Sequence, residues 1–144
     1  VWQEQTGFLA RSARRGGTQR RPAEAPDAVD YSPVAKWRAD PDIGRRYARV
    51  SRDYNPIHLS ARTARPFGFP AAIAHGMWTL ARSVAELQRA IVPEPAQIFV
   101  RFRRPVVLPA TVVLEAGPDG TAHRAFRLAD EASSAVYLEG KITA

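Results

Sequence analysis

Cysteine is absent from all 144 residues, so neither a disulfide nor a thiolate metal site can form among them. That absence fits a reducing compartment, and a cytoplasmic location is the expectation. Lysine is almost absent as well. Lys36 and Lys141 are the only two, so arginine carries nearly all of the positive charge behind the formal +7. No apolar run approaches the about 20 residues that span a bilayer, and no membrane association is expected. The opening residues lack the charged-then-apolar order of a secretory leader. Aromatic side chains do not alternate with the arginines, as a base-stacking surface would require, so nucleic acid is not the expected partner. Anions of another kind, small phosphorylated carriers, suit the same charge.

What remains is the composition of one globular domain, with 45% hydrophobic residues and enough length to bury a core. The chain opens at Val1 rather than Met, as a piece excised from a longer protein would. Val1 to Ala10 alternate loosely and read as a strand. Arg11 to Arg21 surround Gly16-Gly17, and Pro22, Pro26 and Pro33 follow, which is linker composition. Residues 1–36 are therefore expected to be a leading strand and an Arg/Pro-rich linker, and residues 37–144 the domain proper.

Within that domain, Asp40-Pro41 has the order of a helix cap followed by proline, and Ile43, Tyr47 and Val50 recur at helical spacing. From Gly76 to Ile91, Met77, Leu80, Ala81, Val84, Leu87 and Ile91 form an apolar stripe, with Arg82, Glu86 and Arg89 opposite. Pro93 and Pro95 end it. Strands are expected over 97–104, 106–116, 121–128 and 135–143, with a turn at Gly117-Pro118-Asp119-Gly120. One long helix followed by antiparallel strands implies an α+β fold, a curved antiparallel sheet around that helix.

Two short segments carry chemistry. Asp53-Tyr54-Asn55-Pro56-Ile57-His58 sets a carboxylate and an imidazole five residues apart across a turn, because the residue before proline avoids the helical region. Ala74-His75-Gly76-Met77 places a glycine amide at a helix start, where N–H groups have no intrahelical partner. Unperturbed Asp and His side chains, with pKa values of about 3.9 and 6.5, can both accept protons near neutrality. A fixed amide dipole can meet charge developing on a carbonyl oxygen. Together these groups suit the addition of water to an unsaturated acyl thioester. Each also has a plain structural reading: Asp53 as an Asx-turn residue, His58 as a packed histidine, Asn55 as turn former and Gly76 as helix-start glycine. Asn55 is alternatively an orienting residue, and His75 a helix cap. A metal site built from His75, His58 and Asp53 matches no familiar ligand spacing, and none is expected.

The run Tyr47-Ala48-Arg49-Val50-Ser51-Arg52-Asp53-Tyr54-Asn55-Pro56-Ile57-His58 resembles the signature of the MaoC-like (R)-specific enoyl-CoA hydratases. Ala74-His75-Gly76-Met77 resembles the segment that opens the central helix in that family. The close match covers Tyr47 to about Leu80. The resemblance implies a hot-dog fold and cofactor-free interconversion of trans-2-enoyl and (3R)-3-hydroxyacyl thioesters of coenzyme A or an acyl carrier protein. It implies Asp53, His58 and Gly76 as catalytic, and Asn55, His75, Met77 and Arg52 as substrate-binding or orienting. A homodimer, or pairing with a partner hot-dog domain, is implied too. The sequence departs from the pattern at Arg52, where the family usually carries glycine. Arg52 must then adopt a glycine-like backbone, or its charge narrows the entrance and acts on Asp53. A hot-dog thioesterase is the alternative activity; its carboxylate would have to be Glu86, on the polar side of the helix. A non-catalytic carrier-binding or dimerisation module is the other alternative.

Overall fold

The computed structural model describes residues 29–90, 97–118 and 123–143. The expected leading strand, the whole arginine-rich stretch 11–21, Ile91, Pro93, Pro95 and the Asp119-Gly120 turn residues lie outside them. Five strands make one antiparallel sheet: β1 (Ser32–Ala39), β2 (Gln97–Phe102), β3 (Ala110–Ala116), β4 (His123–Asp130) and β5 (Val136–Thr143). Their order across the sheet is β1-β3-β4-β5-β2. β3, β4 and β5 form a meander of consecutive antiparallel neighbours, and β2 closes onto β5 with Ile98 opposite Ile142.

β1 corrects the expected boundary. Ser32 to Lys36, read from sequence as linker, already pair with β3. Pro33 is tolerated because β1 is an outer strand, and the register shifts between Pro33 and Ala35, where a bulge absorbs the missing donor. The expected strand from residue 106 also begins late, at Ala110. Before it, Val106 to Leu108 hold the segment at Ala72–Ala74 through Ala74 N–H to the Val106 carbonyl (2.9 Å) and Leu108 N–H to the Ala72 carbonyl (2.8 Å).

The core lies on one sheet face. Strand alternation sends Val112, Leu114 and Ala116 of β3, Phe126 and Leu128 of β4, and Leu138 and Ile142 of β5 inward. Leu87 of the long helix joins them, with Trp78 and Leu80 packed against the cluster. Each fully buried large side chain contributes about 1.5–3 kcal/mol. That helix, α3 (Gly76–Ala90), buries Thr79, Ser83 and Leu87 rather than the whole predicted stripe, and Met77 and Ala81 are exposed. The two hydroxyls are satisfied within the helix, Thr79 Oγ1 donating to the Gly76 carbonyl (2.6 Å) and Ser83 Oγ to that of Thr79 (2.8 Å). Small polar residues therefore fit the buried ridge without an orphan group. No helix among the described residues is long and apolar enough to cross a membrane.

Between β1 and α3 lie α1 (Ile43–Ser51), a 3-10 turn at Pro56–His58 and the short α2 (Ala61–Ala64). α1 begins two residues later than the Asp40-Pro41 signal suggests. Asp42 holds the cap position without a side-chain bond, while the Asp40 carbonyl accepts from Ile43 N–H. Val50, expected on the apolar face, is 79% exposed.

Candidate active site

α1 ends in a way that throws Asp53 off the helix axis. Arg52 takes the left-handed conformation (φ 63°, ψ 12°) while its N–H closes the helix on the Ala48 carbonyl at 2.9 Å. The departure from glycine is thus a backbone matter: arginine occupies a position that L residues rarely adopt. Ser51 ties the corner, its Oγ donating to the Tyr47 carbonyl (3.1 Å) and accepting from Asp53 N–H (3.2 Å).

The next residues fold as a turn. Asp53 Oδ1 accepts from Asn55 N–H at 3.1 Å, so the carboxylate is an Asx-turn acceptor through one oxygen. Asn55 in turn accepts Ile57 N–H with its own Oδ1 (3.4 Å), and its carbonyl receives His58 N–H (3.0 Å). Asn55 thus shapes the turn through its side-chain oxygen and its carbonyl.

His58 is buried and donates Nδ1–H to the Ile73 carbonyl at 2.8 Å. A carbonyl only accepts, so in the neutral ring Nε2 keeps its lone pair. Ile73 N–H bonds the Ile57 carbonyl (3.0 Å), which locks this turn to the segment leading into α3. His75, at the end of that segment, is 4% exposed. Its carbonyl accepts Trp78 N–H and Thr79 N–H at the helix start, as a cap residue's does. Its side chain does not cap the helix; Nε2 instead lies 3.0 Å from the Asp53 carbonyl and 3.7 Å from Asp53 Oδ2. The two imidazoles stack, centroids 3.7 Å apart and planes 22° from parallel, with the Tyr47 ring tilted against His75 at 5.0 Å. Burial pushes the His75 pKa down, partly offset by the bond to the Asp53 backbone.

Gly76 opens α3, where a first-turn N–H has no intrahelical acceptor. A Cβ here would come within 3.2 Å of the Phe102 ring, so glycine also makes room for an aromatic side chain from β2. A cavity of about 230 Å³ is bordered by Tyr47, Ser51, Asp53, His58, His75, Gly76 and Met77. Asp53, His58, Gly76, His75 and Met77, singled out in the sequence, therefore meet at one place. Arg52 and Asn55 do not line it. A second hollow of about 310 Å³ shares His58 and Gly76 and continues past Thr79, Phe102 and Tyr137. Tyr47 and Phe102 went unnoticed as site residues. Tyr47 stands one helical turn before Ser51 within the signature run, which was the available signal; Phe102 came with none.

Donor atoms of Asp53, His58 and His75 lie within 4.8 Å of one another. Each imidazole has one nitrogen committed to a backbone carbonyl, and the remaining nitrogen of His75, Nδ1, is buried. Metal ligation needs open lone pairs on every ligand, so the arrangement suits proton handling better than metal binding. Glu86, the carboxylate a thioesterase reading would need, pairs with Arg82 at 2.7 Å and borders neither cavity.

Comparison with known proteins matches residues 18–134 to the family model described as a MaoC like domain. 3-Hydroxyacyl-thioester dehydratase X of Mycobacterium tuberculosis is 41% identical over 116 residues, covering 79% of this chain and 40% of that protein. The crystal structure of HtdX from the same organism superposes with a TM-score of 0.70 at 38% identity, over 76% of this chain and 46% of the other. The unliganded R-hydratase PhaJ1 from Pseudomonas aeruginosa gives 0.66 at 24% identity, over 82% and 81%. The chain thus spans less than half of the mycobacterial relative but most of the bacterial R-hydratase.

Proposed function

Because the chain belongs to the MaoC-like dehydratase family and has its hot-dog fold, we propose that it adds water reversibly to trans-2-enoyl thioesters. The product is the (3R)-3-hydroxyacyl thioester, and coenzyme A or an acyl carrier protein is the carrier. One observation carries the reading: Asp53, His58, whose Nε2 keeps its lone pair, and Gly76 at the start of α3 border a single cavity. The names of the M. tuberculosis dehydratase and the R-hydratases support it.

The chemistry follows from the groups. A water in the cavity donates one O–H to Asp53 and the other to His58 Nε2. Asp53 takes its proton as the water oxygen bonds C3 and the C2=C3 π pair moves toward the thioester. The resulting enolate oxygen faces the Gly76 N–H, a dipole that needs no reorganisation. The proton on Asp53 then passes to C2, so both parts of water add to one face and the carboxylate is restored. Dehydration is the same path in reverse. General acid–base steps of this kind contribute roughly 10²–10⁴ in rate.

The outer strand β2 leaves Phe99 and Phe102 exposed, and an uncovered sheet edge invites pairing. Its occupant in this reading is a second hot-dog unit, either another copy or a neighbouring domain. The half-length coverage of the mycobacterial relative supports the latter. The deciding assay follows loss of enoyl absorbance from crotonyl-CoA, with the product's configuration resolved, using the chain in its full natural polypeptide. Formation of (3R)-3-hydroxybutyryl-CoA is expected. Absence of hydration, or the (3S) product, overturns the reading.

A further inference from the structure

His75 has no part in the proton transfers above, yet it is the most enclosed titratable side chain of the site. Its Nε2 faces the Asp53 backbone carbonyl at 3.0 Å, and only an N–H can bond there. Its Nδ1 is buried with no hydrogen-bond partner. A proton on Nδ1 would be a cationic N–H with nothing to accept it, beside a second imidazole at 3.7 Å. Both features require the neutral Nε2–H form. The ring is wedged between Tyr47 of α1 and His58 of the 3-10 turn, and its backbone is tied to the first turn of α3.

We propose that His75 is a positioning residue: a neutral imidazole that holds the Asp53 backbone and the His58 ring plane so both groups address one water. It does two jobs with one ring. The Nε2–H bond fixes where the Asp53 turn lies relative to α3, and therefore relative to the Gly76 amide. The stacked face fixes the rotation of His58 about the bond from its Nδ1 to the Ile73 carbonyl. Remaining uncharged is part of the role, because a cation stacked on His58 would draw on the Nε2 lone pair that grips the water. The titratable groups facing His75 are Asp53, His58 and Tyr47, and of these only Asp53 and His58 act on its charge.

The inference rests on the hydratase reading, and two substitutions separate its failure from that of the reading. His75→Gln keeps an N–H donor at about the reach of Nε2. His75→Phe keeps the stacked ring and loses the donor. With crotonyl-CoA as substrate, His75→Phe should lower kcat by about 10–100-fold, the scale of a misplaced reacting group, with KM nearly unchanged. His75→Gln should recover most of that loss. The acid limb of the kcat profile should move in His75→Phe while its melting temperature stays near wild type. A readout independent of turnover is nitrogen-15 NMR of the imidazoles. It should show His75 as the neutral Nε2–H tautomer near neutral pH, and displaced His58 ring-nitrogen signals in His75→Phe. Active wild type with unchanged kcat and pH profile in His75→Phe overturns the inference. So does a His75 ring that carries a proton on Nδ1. Inactive wild type overturns the hydratase reading instead, and the NMR result then stands alone as the test.

Discussion

A Cβ added to Gly44 would lie 1.9 Å from the carbonyl oxygen of His58, so α1 and the Pro56–His58 turn meet backbone to backbone. The obstacle is main chain on both sides and cannot rotate away. Gly44→Ala should therefore destabilise the domain by about 1–3 kcal/mol, the usual cost of overpacking, and displace His58. Chemical denaturation together with crotonyl-CoA turnover checks this; an alanine variant with wild-type values of both would show the contact to be slack.

Arg52 presents the opposite case. Its φ of 63° is strained for any residue with a Cβ, and it does not border the cavity. Arg52→Gly should raise stability by about 1 kcal/mol, net of the entropy glycine adds to the unfolded chain, with turnover nearly unchanged. A lower denaturation midpoint in the variant would mean that the arginine side chain makes a compensating contribution. A displaced acid limb would mean that its charge acts on Asp53.

Asp53→Asn removes the proton acceptor and keeps the Asx turn, because the amide oxygen can still accept from Asn55 N–H. His58→Ala removes the second grip on water. Each should cost roughly 10²–10⁴ in turnover, and the double variant much less than the product of the two, since the proposed mechanism has both serve one water. Full additivity of the two losses, measured at equal folded fraction, would place them on separate steps.

Gly76 is the first residue of α3, the helical position where proline is best tolerated because its N–H is unpaired anyway. Gly76→Pro should thus preserve much of the fold while deleting the amide that, in the proposed mechanism, meets the enolate oxygen. A loss of about 10²–10³ in kcat is expected, the scale of one oxyanion donor. Because the proline ring approaches Phe102, Gly76→Ala serves as the control for crowding. Equal losses in the two variants would assign the effect to packing.

Burial in the folded state lowers the His75 pKa below the ordinary imidazole value of about 6.5, so the unfolded chain binds more protons there under acid conditions. The stability that neutral His75 supplies is therefore complete above about pH 6.5 and declines as pH falls toward its folded value. Unfolding free energies measured from pH 8 down to 5 should fall less steeply for His75→Gln than for wild type. Parallel curves would show that His75 titrates alike in both states.

Local chemistry made much of the molecule legible in one dimension. Proline after Asn55, glycine at the head of an apolar stripe and the alternation of Ile98, Val100 and Phe102 with their neighbours each act locally. Turn, helix and strands followed from them; the signature run pointed to Asp53 and His58, and the Ala74-His75-Gly76-Met77 segment to Gly76. β1 was hidden because Pro33 reads as a breaker until an outer strand and a bulge excuse it. The buried face of α3 was misjudged for a related reason. Thr79 and Ser83 look polar in sequence, yet their hydroxyls are satisfied inside the helix they belong to.

The residue types and spacing of the site were set by the sequence itself, because a carboxylate, an imidazole and a helix-start amide keep their chemistry wherever the chain takes them. What His75 touches was not. Its partners, Tyr47, Asp53 and His58, lie 28, 22 and 17 positions away along the chain. Only the packing of α1, the Pro56–His58 turn and the start of α3 brings them together. Which nitrogen carries a proton depends on the carbonyls of Ile73 and Asp53, backbone groups that every sequence has and that folding alone aims.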